Sequence, residues 1–211
     1  MAAMEDVLDV YERPADPLRP MVCVDDLHPP WIGETRVPIA AKAGQGERFD
    51  SAYVRTGTAN IVIAFEPLSA HRLTKVTERR PRVDVAEGVR DLANVHYPTA
   101  EGIVLILDNL NTPSIASLYE AFEPAAARRL ARKLELHSTP KHGSWLNRAE
   151  IELSALSRQG LDRRIEDQAT WDPQVTAWTT QRNASGQTVT WRFTTADARI
   201  KLRRLYPSIH D

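Results

Sequence analysis

The sequence predicts a mixed α/β fold in which a sheet is flanked by helices. Apolar strand-like runs come first along the chain, and helical patterns then alternate with strands. The clearest strand is Ile-Val-Leu-Ile-Leu at 103–107, which is apolar at every position, as in a central strand covered on both faces. The clearest helix covers 84–95, where apolar residues recur at helical spacing.

The other elements follow from β-branched and apolar runs, helical periodicity and turn residues. Further strands are expected at 21–24, 48–54, 59–65, 71–77, 134–138 and 188–193. Further helices are expected at 4–11, 114–122, 125–133, 174–183 and 195–205, with one more beginning at Trp145 behind a Ser144 cap. Residues 27–47 contain prolines and glycines and are interpreted as a long loop.

Composition limits the class of protein. The 211 residues are 42% hydrophobic and 26% charged, as in a globular protein, and no apolar run approaches the ~20 residues of a membrane span. The N-terminal segment carries acids where a secretory signal would be basic and then apolar, so we expect a cytoplasmic protein with no membrane partner. The single cysteine, Cys23, excludes an internal disulfide and a cysteine-rich zinc site, and its apolar neighbours predict a buried, inert thiol.

Charge does not point to a strongly cationic DNA-binding surface, because the formal net charge is −1. Local basic clusters occur at 78–82, 128–133, 162–164 and 199–204. Each is either a solvated helix face or part of a track for a phosphate backbone.

Three acids lie where a metal site could form. Asp25 and Asp108 each follow an apolar strand, and Glu150 lies near the start of a later helix. Functional groups of open α/β sheets collect at strand ends, and grouped carboxylates need a divalent cation such as magnesium or manganese to offset their repulsion. Such a site would suit phosphodiester cleavage. An Asp at a strand end is also a common turn former, and helical periodicity alone does not choose between Glu150 and Glu152.

Five motifs in combination resemble bacterial insertion-sequence transposases of the six-thirty family, relatives of the mariner transposases. They are VDD at 24–26, IGETR at 32–36, DNLNT at 108–112, TPKHGSWLNRAEIELSALSRQ at 139–159 and WRFTTADARIKLRRLYPS at 191–208. The resemblance implies a ribonuclease H-like fold, as in retroviral integrases, with Asp25, Asp108 and Glu150 as catalytic metal ligands. Two Mg²⁺ or Mn²⁺ ions are expected.

The resemblance also implies roles around these acids. Lys141 and His142 would face DNA phosphates, or are ordinary loop residues, and Asn147 would order the loop. Asn109 would orient Asp108, contact a phosphate or act as a cap. Trp145 would belong to the core or form a platform for a base.

The implied reaction is hydrolysis at a transposon end followed by attack of the freed 3′ hydroxyl on target DNA. The implied partners are transposon-end and target DNA, a second copy in an active homodimer, and a helix-turn-helix domain from another polypeptide or an upstream frame. By the same resemblance, 1–20 would be an N-terminal helix and proline-rich connector, 21–160 the catalytic core, and 161–211 a helical extension of that domain.

The chain departs from the family pattern in places. Asp26 and Pro29-Pro30 replace a glutamate and later polar residues, and Pro113 stands where histidine is common. Arg148 replaces methionine or proline, and Pro173 falls in a usual helix. An inactive remnant that keeps the fold and binds DNA or a sister transposase is therefore the alternative.

Overall fold

The computed structural model describes residues 1–58, 60–77, 82–108 and 115–206, with only the backbone of residues 82 and 83. Its seven named strands are β1 (Met21–Leu27), β2 (Pro30–Glu34), β3 (Tyr53–Thr58), β4 (Asn60–Glu66), β5 (His71–Thr77), β6 (Ile103–Leu107) and β7 (Leu134–Ser138). Its α-helices are α1 (Ala2–Tyr11), α2 (Arg82–Asp91), α3 (Ile115–Ala121), α4 (Pro124–Lys133), α5 (Ala149–Gln159), α6 (Gln168–Ala184) and α7 (Thr195–Lys201). Short turns complete the set: a π-helical one at Leu92–His96 and 3₁₀ ones at Ser144–Leu146 and Arg203–Leu205.

Five strands form one mixed sheet in the order β5-β4-β1-β6-β7. β1 pairs antiparallel with β4 and parallel with β6, and β6 pairs parallel with β7. The predicted mixed sheet is thus confirmed, including the bounds of β6 and β7. Because β6 is buried at all five positions, it needs cover on both faces.

Two layers of helix supply that cover. On one face, α1, α5 and α6 pack with side chains such as Cys23 and Ile106. On the other, α2, α3 and α4 pack with side chains such as Val22 and Leu105. Side chains alternate between the faces along each strand, so the face of each strand-end residue can be read from its neighbours.

The structure corrects several predicted elements. Residues 30–34 form β2 rather than loop, and pair with β3 at a place where a Cβ on Gly57 would lie 2.5 Å from the Trp31 ring. Residues 188–193 form no strand. The α6 helix begins at Gln168, earlier than predicted, and continues through Pro173. The expected helix start at Trp145 is also wrong, since α5 begins at Ala149.

The chain ends meet the same core. Side chains of α1, including Val7 and Tyr11, are buried with those of α5. The predicted division at residues 20 and 160 stays a prediction. Among the residues described here, no helix is long and apolar enough to cross a membrane.

Candidate active site

Strand register places Asp25 and Asp108 side by side at the carboxyl-terminal edge of the main sheet, towards the carboxyl ends of its interior strands β1 and β6. Asp108 directly follows β6 as predicted, whereas Asp25 lies within β1, which continues to Leu27 instead of ending at Val24. Val24 lies opposite Leu107 in the parallel β1–β6 pair, so the next residues, Asp25 and Asp108, are neighbours. By alternation, Asp25 shares the face of Cys23, and Asp108 shares the face of Ile106. Both therefore lie on the face that α5 covers.

The loop after β7 holds both aspartates by hydrogen bonds. The Thr139 hydroxyl donates to Asp108 Oδ1 at 2.8 Å, and the Ser144 hydroxyl donates to Oδ2 at 3.1 Å. Asn147 Nδ2 donates to the Val24 carbonyl at 2.9 Å and reaches Asp25 Oδ2 at 3.3 Å. The loop thus links the two strand ends to the start of α5.

Glu150 lies in the first turn of α5, and its backbone N–H donates to the Asn147 carbonyl at 3.1 Å. Its side chain is exposed, whereas Glu152 is fully buried. The Glu152 carboxylate binds Arg72 at 2.6 Å and Arg182 at 3.0 Å, so it has a structural role. The structure thus distinguishes the exposed Glu150 from the buried Glu152, which helical periodicity could not do.

The three acids influence one another electrostatically. Burial, together with the negative charges of Glu150 and Asp108, raises the pKa of Asp25 to about 7, against a smaller opposite effect of the Asp26 N–H. Partial desolvation of the Glu150 carboxyl, on a residue that is otherwise exposed, and the charge of Asp108 also raise the pKa of Glu150. The neighbouring Asp26 instead contacts His28 Nε2 at 3.2 Å. The three carboxylates therefore repel one another when all of them are ionised.

The donor chemistry fits a hard divalent cation. All three side chains offer carboxylate oxygens, the hard ligands that magnesium and manganese prefer. The three carboxylates do not form a ready ligand cage, however. Within the described ranges, no group of three or more acidic, histidine or cysteine side chains is arranged to hold a metal ion.

The other predicted site residues lie in the same loop, except for Asn109. Lys141 and His142 are exposed in the turn after β7, and His142 has a positive φ of 64°. Asn147 is buried and bonds to Asp25. Asn109 lies outside the described residues.

Two supporting side chains were missed at the sequence level. Leu107 lies opposite Ser138 in the β6–β7 pair, so Thr139 is the neighbour of Asp108, and the predicted strand at 134–138 could have revealed this. The second is Tyr11, whose hydroxyl donates to the Leu146 carbonyl at 2.7 Å and accepts from the Arg148 N–H at 3.2 Å. No short motif marks this role of Tyr11, because the two loop partners are 135 and 137 residues away along the chain.

The strand order and the strand directions define a ribonuclease H-like fold. The chain belongs to the DDE superfamily endonuclease family, whose model matches residues 20–172. No curated protein sequence matches the chain.

Solved structures of Mos1 transposase share this fold. The Mos1 transposase paired-end complex with left transposon end has a TM-score of 0.56 and 13% identity, covering 88% of this chain and 56% of that one. The Mos1 mariner paired end complex with Mn has a TM-score of 0.54 and 15% identity, with coverage of 88% and 56%. The pre-cleavage Mos1 transpososome has a TM-score of 0.54 and 13% identity, with coverage of 90% and 62%. The chain therefore spans less than two thirds of these relatives.

Proposed function

We propose that this chain is the catalytic domain of a transposase, with Asp25, Asp108 and Glu150 as its catalytic, metal-binding carboxylates. The observation that supports this most directly is the β1–β6 register, which makes Asp25 and Asp108 neighbours at the edge where α5 carries Glu150. The reaction we propose is DNA strand cleavage at transposon ends, followed by strand transfer to target DNA. The raised pKa of Asp25 fits a site that needs cations to stay ionised.

Two Mg²⁺ or Mn²⁺ ions are the proposed cofactors. When bound, such ions activate a water or hydroxyl nucleophile and offset charge on the departing oxygen of a phosphodiester. Thr139 and Ser144 would hold the Asp108 carboxylate in one orientation, and Asn147 would do the same for Asp25.

DNA is the proposed partner of the exposed turn beside the acids. Lys141 would attract phosphates by charge, and His142 would add a hydrogen bond or, when protonated, a second charge. Asn109 is proposed to orient Asp108 or contact a phosphate. A homodimer in the cytoplasm is the proposed active form. A helix-turn-helix domain on another polypeptide, or encoded by an upstream frame, is proposed to recognise the transposon ends. The paired-end DNA complexes solved for Mos1 support the DNA partner.

Cleavage and joining of labelled duplex DNA that carries transposon-end sequence, assayed together with a helix-turn-helix polypeptide for end recognition, tests the proposal. We expect magnesium-dependent cleavage and joined products from the parent, and neither from Asp108→Asn. Asp172→Asn is the matched control, since Asp172 is exposed on α6. Equal cleavage by Asp108→Asn and parent would contradict the catalytic assignment. Cut products without joined ones would indicate a simple nuclease.

A catalytically inactive remnant is the alternative. One observation that favours it is that, within the described part of the chain, no three acids are arranged to hold an ion. The other is Pro29-Pro30 after β1. Calorimetric titration with MgCl₂ and MnCl₂ separates the two. An intact site gives binding heat that Asp108→Asn loses, whereas a remnant gives none with either protein.

A further inference from the structure

An exposed aromatic stack lies beside the candidate site. The Trp145 and Trp191 rings are stacked, with centroids 6.5 Å apart and planes at 20°, and Phe193 contacts Trp145 edge-on at 5.8 Å. Trp191 in turn packs on Tyr11 at 5.6 Å. Trp145 is nevertheless 50% exposed, so one side of the indole is supported and the other meets solvent. A rigid aromatic surface of this kind can stack a planar ligand.

The chain fixes this stack next to the acids. Trp145 directly follows Ser144, which binds Asp108, and lies two residues before Asn147, which binds Asp25. The loop carrying the indole cannot shift without disturbing those bonds. A ligand on Trp145 would thus be adjacent to a phosphate that divalent cations would hold at the acidic edge, since the three carboxylates alone repel it.

Two basic side chains, Arg148 and Lys201, lie beside the same stack, and the Lys201 Nζ is also 4.0 Å from the Asp197 carboxylate. The Arg148 guanidinium lies 3.7 Å from the centroid of Tyr11 and 5.6 Å from that of Trp191. Arg148 is 2% exposed, and its Nε has no hydrogen-bond partner among the described residues. Lys201 Nζ lies 5.5 Å from the Phe193 centroid. Cations behind and beside an aromatic face favour a ligand that combines a π-system with negative charge.

We propose that the open face of Trp145 stacks an unpaired nucleobase of the DNA substrate, next to the phosphate at the acidic edge. This rests on the function proposed above. A nucleotide joins a planar base to an anionic phosphate, which matches the aromatic face and the cations around it. The base must be terminal or extruded, because a base inside a duplex has both faces covered by its neighbours.

The probe is a ten-nucleotide single-stranded DNA that contains one 2-aminopurine, whose fluorescence falls when it stacks on an aromatic ring. Anisotropy at fixed salt gives the affinity of the full chain. Trp145→Leu should weaken binding roughly 5- to 150-fold, as for the loss of one stacked base, and Trp145→Phe should weaken it less. The matched control is Tyr119→Leu, since Tyr119 is 44% exposed on α3, across the sheet, and this change should leave affinity unaltered. Parent protein should quench the 2-aminopurine emission, and Trp145→Leu should not.

Equal affinity and equal quenching for parent and a folded Trp145→Leu protein would overturn the inference. If Trp145→Leu does not fold by circular dichroism, the parent and Trp145→Phe decide, because binding without quenching in both would overturn it. Magnesium calorimetry and cleavage are measured in parallel on the parent. A parent that cuts DNA while Trp145→Leu binds the probe unchanged refutes only the stacking inference, whereas a parent that neither binds magnesium nor cuts DNA refutes the proposed function.

Discussion

Replacing Asp25 with asparagine should stabilise the metal-free protein at alkaline pH even though it removes a proposed ligand. The pKa of Asp25 is about 7 in the folded chain, against about 3.9 for an aspartate in an unfolded one. A carboxyl that holds its proton more tightly when folded loses folding free energy on ionisation. Stability should therefore fall as pH rises from about 4 to about 7.

The magnitude follows from the difference in pKa. Three units correspond to about 4 kcal/mol of unfolding free energy once Asp25 is ionised in both states, at pH 8. At pH 5 the folded carboxyl is still protonated while the unfolded one is ionised, and the penalty is about 1 to 2 kcal/mol. Asparagine has the same shape and no charge, so Asp25→Asn should gain about 2 to 3 kcal/mol more at pH 8 than at pH 5.

Urea unfolding in EDTA at pH 5 and pH 8 measures this difference, provided that the urea m-values of parent and variant agree. Asp172→Asn, at an exposed position on α6, controls for the loss of a charge elsewhere. Adding MgCl₂ at pH 8 should stabilise the parent and not Asp25→Asn, because an ion that binds only the folded state adds its binding free energy. A variant whose stability tracks the parent at both pH values would refute the burial-and-repulsion account of this site.

Three further outcomes are expected. Glu152→Gln should cost about 3 to 5 kcal/mol of unfolding free energy by leaving the fully buried Arg72 without its carboxylate. Glu150→Gln, in contrast, should not lower the urea midpoint of the metal-free protein, because it removes a charge that the neighbouring carboxylates repel. Tyr11→Phe should lower the unfolding free energy by about 1 to 3 kcal/mol, because the Leu146 carbonyl and the Arg148 N–H that bond to the Tyr11 hydroxyl are buried. An unchanged melting temperature would contradict this. Burial raises the pKa of the Cys23 thiol to about 11. Cys23 should therefore react with a thiol reagent at pH 8 only after urea unfolding. Rapid reaction of the native protein would contradict this.

The bounds of β5, β6 and β7 were predicted correctly, and the last two show how a local pattern can leave one choice. The run 103–107 is apolar throughout and lies between Gly102 and Asp108, so a buried strand is the only element of that length that suits it. The strand at 134–138 ends where a proline follows Thr139, and its bounds were also right. Local pattern was sufficient in both cases.

The start of α5 could not be read locally because tertiary bonds compete with capping. Ser144 is a good cap by type, yet its hydroxyl bonds to Asp108, from a strand more than 30 residues earlier. Asn147 bonds to β1 with its amide N–H and accepts from the Ala149 N–H with its oxygen, and the helix begins after it. The site residues themselves determine where the helix starts.

The missing strand at 188–193 has a similar cause. Its aromatic residues suit a strand by type, but Trp191 packs on Tyr11 of α1, and Phe193 packs on Trp145 of the site loop. A sequence pattern reports that such residues are buried, not which surface buries them. The candidate acids were likewise located by a resemblance between motifs, whereas their hydroxyl and amide partners became visible only through strand register.

The buried charges of the core also explain how one acid of α5 is kept at the edge. Residues two apart on an α-helix project about 200° apart around its axis, so fixing one side chain directs the other almost oppositely. Glu152 is fixed by Arg72 of β5 and by Arg182 of α6. Such a buried ion pair is a poor source of stability, since desolvation offsets most of its attraction, but its geometry leaves α5 one rotational setting. That setting leaves Glu150 exposed, at the helix start that Asn147 ties to Asp25. The buried ion pairs of Glu152, together with the apolar face of α5, thus set the direction of the proposed catalytic glutamate.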